Sequence, residues 1–242
     1  AGGVTLFGAV MALLACCVIA LVLPAGLAHG PKMHKGYDLY NAAVPIGLTA
    51  FFLRAVLYRV LGGTLPDGAG VGAGDGNWAV CNIFCIAVFV LALILGLALG
   101  GSFKKYGELL KDSGVGADYG AKYGAGTAIM NFAIYGLFIV LYYNLIGAKW
   151  NAAVLGCVLC MVCCCFKGSH PANVWPIMAG YVAASFLTKA LCAALGTDFT
   201  TAINAQAIVI GLCFANGLSP VTGNYGWLAG FVFAMLHYGL VT

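Results

Sequence analysis

From Trp78 to Leu99 the chain runs 22 residues, WAVCNIFCIAVFVLALILGLAL, without one charged side chain. Backbone surrounded by hydrocarbon has to bond its own amides, and within a single segment only a helix does so. At 1.5 Å per residue this helix covers about 33 Å, enough to cross the ~30 Å apolar core of a bilayer. The rest of the chain repeats the pattern. Only 7% of its 242 residues are charged, against about 25% in soluble domains. So few charges cannot cover a protein of this size for water. The fold class that follows is all-α, a polytopic transmembrane helical bundle, read as one integral membrane domain over residues 1–242.

The periodic apolar runs predict seven or eight helical segments, one or two of them broken or re-entrant. Val4–Leu23 is the first span, followed by a polar connection, PAGLAHGPKMHKGYDLYN, with His29 and His34. Ala42–Leu61 is the second and carries Arg54 and Arg59. A glycine-rich stretch, GGTLPDGAGVGAGDGN, reads as a flexible linker. Trp78–Leu99 is the third span. Phe103–Lys111 is expected to be a short interfacial helix, with Phe103, Tyr106, Leu109 and Leu110 towards lipid. Ala125–Ile146, Asn151–Phe166 and Pro171–Leu195 follow. Thr200–Phe214 is too short to span comfortably, and Tyr225–Val241 closes the chain. A faint echo links LPAGLAHG near the start to AMLHYGL at the end. If it marks a repeat, the chain is part of a longer repeat-containing protein.

Charge placement sets orientation and excludes some functions. If every segment crosses, seven lysines fall on one face (Lys32, Lys35, Lys104, Lys105, Lys111, Lys122 and Lys167). Four basic residues fall on the other: Arg54, Arg59, Lys149 and Lys189. The lysine-rich face is then cytoplasmic. The net charge of +4 is small, and no basic patch with interleaved aromatics suggests nucleic acid. All seven acidic residues lie in connections or at helix edges. A carboxylate proton relay inside the bundle is therefore disfavoured. The run CVLCMVCCC has iron–sulfur-like spacing (Cys157, Cys160, Cys163, Cys164, Cys165), but in a uniformly apolar helix cysteines serve as small packing residues. No cofactor is expected.

Two interrupted stretches hold the candidate site. In CFKGSHPANVWPIMAGY (Cys165–Tyr181), Ser169 is expected to cap a helix that starts with proline in its first turn. Pro176 should kink that helix or end its first turn. CFANGLSPVTGNYGW (Cys213–Trp227) repeats the arrangement with Ser219–Pro220. Paired Gly/Pro-interrupted segments point to transport sites. The candidate binding residues are Ser169, His170, Asn173, Asn216, Ser219, Thr222 and Asn224, with Arg54 as a stray intramembrane charge.

Four strings together carry a resemblance: HKGYDLYN, GAKWNAAVLG, GSHPANVWPIMAGY and LSPVTGNYGWLAGFVFAMLH. They resemble an uncharacterised bacterial polytopic membrane family, a domain of unknown function. That resemblance implies a longer protein and assigns no residue a role. A weaker likeness, in FANGLSPVTG, is to the pore segments of urea transporters, although this chain lacks their Asn-Pro pair.

Two functions follow. The first is a channel or transporter for a small polar or anionic solute, not coupled through a carboxylate proton. The alternative is a non-transporting scaffold or anchor subunit of a larger complex, because small-residue helices pack closely. The expected partners are the lipid bilayer, a small polar solute, and further membrane chains or copies of this one. The expected location is the bacterial cytoplasmic membrane.

Overall fold

The computed structural model describes residues 6–41, 43–62, 76–197 and 202–241. Every regular element among them is helical. Five helices are long and apolar enough to cross a membrane: Leu6–His34, Trp78–Ala98, Ala125–Leu145, Pro171–Leu195 and the interrupted run Gln206–Tyr225. Two shorter apolar helices cover Ala152–Phe166 and Trp227–Val241. The chain divides into two compact units, residues 1–35 with 40–69 and residues 36–39 with 70–242.

The first unit is a helical hairpin. α1 (Leu6–His34) runs through Pro24 and Pro31, well past the expected end at Leu23. Each proline removes one amide bond, and the small and apolar residues between them keep the helix going. The supposed polar connection is thus mostly helix. Its end is fixed by His34, whose Nε2 lies 2.8 Å from Asn41 Oδ1. α2 (Ala43–Ala55) passes into a single wider turn, Val56–Val60. The Gly63–Asp75 part of the expected linker lies outside the described residues.

The second unit holds the remaining helices. α3 (Trp78–Ala98) starts where Asn77 accepts a bond from Val80 N at 3.0 Å, which satisfies one of the free amides of a helix start. It packs antiparallel on α6 (Ala125–Leu145). Glycines make that contact close, Gly96 against Gly126 and Gly136 against the ring of Phe89. α8 (Pro171–Leu195) has the expected bounds and continues past Pro176, so the proline does not end the helix after its first turn.

α7 (Ala152–Cys163) and α9 (Gln206–Ala215) have 12 and 10 residues, so they cover only about 18 and 15 Å. They lie side by side and parallel. Asn151 donates to Gln206 Oε1 at their starts, and Asn216 donates to the Met161 carbonyl at their ends. Of the expected Thr200–Phe214 segment, residues 200 and 201 lie outside the described residues; α9 is the first half of a broken run, continued by a tight turn at Asn216–Leu218 and by α10 (Ser219–Tyr225). α11 (Trp227–Val241) returns along α8, with Trp175 stacked on Trp227 and Tyr181 bonded to His237 Nδ1 at 2.6 Å.

α4 (Phe103–Leu109) corrects the interfacial expectation. Phe103 is exposed, but Tyr106 and Leu109 are buried with Tyr119, Ala128 and Met130 in a small core of their own. That core also includes α5 (Tyr119–Tyr123). The aromatic and leucine side chains found protein to pack against, which excludes water as well as lipid does. The segment 99–124 thereby forms a floor beneath the starts of α6 and α8.

Candidate functional site

Two helices end short of the floor, and their ends define the site. α7 closes in a tight turn, Cys164–Phe166. The chain then reverses at Gly168, whose φ of +148° suits glycine alone. α8 begins with His170 as its cap and Pro171 in its first turn. The cap was expected at Ser169. Proline prefers the first helical position, which makes the preceding residue the cap, and that residue is His170. Ser169 is thereby free for another partner. Its Oγ lies 2.9 Å from Ser219 Oγ, across the junction with the second broken helix. Ser219 is likewise no cap: Leu218 holds that place, and Ser219 opens α10 ahead of Pro220.

Around this serine pair the polar groups interlock. Asn131 Nδ2, on α6, donates to the carbonyls of Cys165 and Ser169, both at 2.9 Å. Asn173 Oδ1 accepts from His170 N at 3.0 Å, and its Nδ2 donates to Gly168 O at 2.8 Å. Tyr135 OH donates to Asn216 Oδ1. Tyr135 is the eleventh of the 21 residues of α6. Asn216, and the break it sits in, therefore lie level with the middle of a membrane-length helix.

The floor closes the layer from one side. His170 Nε2 lies 3.0 Å from Asp112 O, and Tyr119 OH donates to Gly168 O at 2.9 Å. Backbone touches backbone where Gly114 meets Gly168 and where Gly223 meets Ser113. A clamp holds the loop. The Asp112 carboxylate accepts from Lys122 Nζ, from Tyr123 OH at 2.8 Å and from Gly114 N at 2.9 Å. Burial pushes that carboxyl up, but the bonds from Lys122, Gly114 and Tyr123 outweigh it, and the net position is below the ordinary aspartate value. Burial pushes the Tyr119 hydroxyl well up, so it stays a donor.

Of the eight candidate residues, Ser169, His170, Asn173, Asn216, Ser219 and Thr222 are all buried, 0 to 4% exposed. Thr222 follows Ser219 by one turn and packs against Gly230. Asn224 is exposed and donates to Tyr37 OH at 3.0 Å. Arg54 is exposed in the other unit. Sequence reasoning missed Thr127, Asn131 and Tyr135. Their signal was present, since three polar residues at spacing four form one stripe along α6. Among the described residues five buried polar side-chain atoms have no protein partner: Tyr106 OH, Thr127 Oγ1, Asn131 Oδ1, His170 Nδ1 and Thr222 Oγ1.

Other features are separate. At the far end of the bundle, beside the starts of α7 and α9, lies a cavity of about 240 Å³ lined by Lys149, Asn151, Asn204 and Gln206. In the first unit an apolar groove of about 790 Å³ runs between α1 and α2. Cys160 and Cys163 are exposed while Cys157, Cys164 and Cys165 are buried, so the cysteine run faces several directions. Among the described residues no three His, Cys, Asp or Glu side chains come together as metal ligands.

No curated protein and no solved structure matches the chain. A family match does exist, and it starts at the last residue of α3 and takes in the floor, the broken helices and all seven candidate residues of the second unit. Residues 98–242 match the family described as Protein of unknown function (DUF1576), and the chain belongs to that family.

Proposed function

We propose that this integral membrane protein is a channel or transporter for a small polar solute, working at the polar layer between the two broken helix ends. The observation that carries the reading is Asn216. It is fully buried, sits in a helix break, and is bonded to a tyrosine halfway along a 21-residue apolar helix. Irregular backbone at membrane depth is tolerated where it is buried in protein or lines a wet cavity, and transport sites form at discontinuous helices near the midplane. Acidic residues are absent from the five candidate spans, which supports a mechanism without carboxylate-proton coupling. Lys104, Lys105, Lys111, Lys122 and Lys167 all lie in the floor or the turn resting on it, which supports placing the layer towards the cytoplasm of a bacterial inner membrane. The test is reconstitution of the purified chain into liposomes, with solute entry followed by stopped-flow light scattering. Entry above protein-free liposomes supports transport, and its absence for every solute tried refutes it.

The scaffold reading draws on a different observation, the apolar groove between α1 and α2, a shape that another helix or acyl chains could fill. Chemical crosslinking in native membranes separates the two readings. A stoichiometric partner chain together with an inert reconstituted protein favours the scaffold.

A further inference from the structure

The polar layer has a chemical sign that its residue types alone do not give. Carbonyl oxygens only accept. The two carbonyls that bracket Asn131, those of Cys165 and Ser169, therefore fix its amide nitrogen towards them and its Oδ1 away. Asp112 O also only accepts, so the proton of a neutral His170 sits on Nε2 and its Nδ1 presents a lone pair. These two atoms, Asn131 Oδ1 and His170 Nδ1, are among the buried atoms without a partner. Both side chains are at least 99% buried, at 0 and 1% exposure. They serve the same turn, since Asn131 bonds the Ser169 carbonyl and His170 is the next residue. Thr222 Oγ1, Thr127 Oγ1 and Tyr106 OH, also unpartnered, are hydroxyls that give or take. No Lys, Arg, Asp or Glu is among the buried described residues. Two ion pairs lie beside the layer, Lys122 with Asp112 in the floor and Lys167, in the turn before Gly168, with Asp118.

A site whose two fixed free groups are lone pairs repels an anion, lacks the buried carboxylate that a cation would need as its partner, and meets a bare acceptor with hydroxyls alone. Leaving such acceptors empty in a dry interior is unfavourable, and a donor that fills them is held. On the transport reading above, we infer that the layer selects uncharged solutes that donate hydrogen bonds through O–H or N–H groups, such as small polyols and primary amides, and rejects anions. His170 and Asn131 are the specificity-determining acceptors, and the anionic branch of the expected substrates drops out.

The test compares entry into proteoliposomes of the purified chain for erythritol, trimethylamine N-oxide, formate and methylammonium. Erythritol donates; trimethylamine N-oxide is neutral overall and accepts only; formate is an anion; methylammonium is a charged donor. Entry of erythritol several-fold faster than each of the other three is the expected result. Asn131→Leu and His170→Phe should each slow erythritol by about tenfold, the weight of one buried hydrogen bond. The wild-type series decides the question even if a variant fails to fold. Entry of formate, trimethylamine N-oxide or methylammonium at a rate equal to erythritol overturns the donor inference and leaves transport standing. Entry of no solute overturns both.

Discussion

Ser169 and Ser219 meet hydroxyl to hydroxyl at 2.9 Å, each fully buried, and tie the start of α8 to the start of α10. Removing one hydroxyl strands the other. Ser169→Ala or Ser219→Ala alone should destabilise the folded protein by about 1–2 kcal/mol, while the double variant should lose less than the sum. Denaturation of the purified protein in mixed micelles gives the four stabilities of the cycle. Strict additivity would show that the two hydroxyls act independently.

Tyr135 and Asn216 form the deepest link of the layer. Tyr135→Phe keeps the ring and removes the donor to Asn216 Oδ1. Side-chain hydrogen bonds inside membrane proteins contribute about 0.5–2 kcal/mol, and the loss should fall in that range. Combining Tyr135→Phe with Asn216→Leu removes both partners and should recover part of it. The same denaturation assay reads both variants.

The Asp112 clamp makes stability depend on acid. Its folded carboxyl lies below the ordinary aspartate value of 3.8, through bonds from Lys122, Gly114 and Tyr123 that overcome its burial. A carboxyl lowered by folding binds its proton more readily when unfolded. Its contribution is therefore complete above about pH 4 and is lost as pH falls through the folded value. Melting temperature should drop across that acid window and stay flat from pH 5 to 8 as far as this group is concerned. Asp112→Asn should flatten the acid limb. An unchanged limb in that variant would assign the acid sensitivity elsewhere.

Glycine at the floor contact is dictated twice over. Gly114 has φ +79° and Gly168 φ +148°, and a methyl on either would run into the other's backbone. Gly114→Ala and Gly168→Ala should each destabilise by more than about 2 kcal/mol. Gly107, inside α4 with open space around it, is the control. Its change to alanine should be neutral or stabilise by up to about 1 kcal/mol. Thermal melting of the three variants separates steric need from general tolerance.

How far the sequence was legible depended on which rule applied where. Hydropathy located α3, α6 and α8 within a residue or so, because an uninterrupted apolar run of membrane length has one stable form. It missed the end of α1. Polarity after Leu23 reads as a loop, whereas the backbone carries on to His34 through two prolines. At the candidate site, composition singled out the two interrupted stretches. The cap rule then chose Ser169, and the proline rule, which places His170 at the cap, described the geometry better. Asn131 and Tyr135 escaped notice because each stands among apolar neighbours in the chain, and only the spacing of four, which puts them on one face, gives them meaning. The floor was the least legible part. Short helices with lysines resemble a membrane surface segment, and nothing local reveals that Tyr106, Leu109 and Tyr119 are covered by their own bundle.

The broken run Gln206–Tyr225 has the lowest mean hydropathy of the five candidate spans, 1.3. On its own it is a poor passenger for the insertion machinery, because Asn216, Ser219 and Thr222 would enter lipid unsatisfied. Yet the partners that hold its polar face, Tyr135, Met161 and Ser169, all precede it in the chain. Synthesis from the N-terminus delivers them first. The order of the helices is thus an order of assembly, in which the earlier spans form the polar berth that lets the last broken helix stay in the membrane.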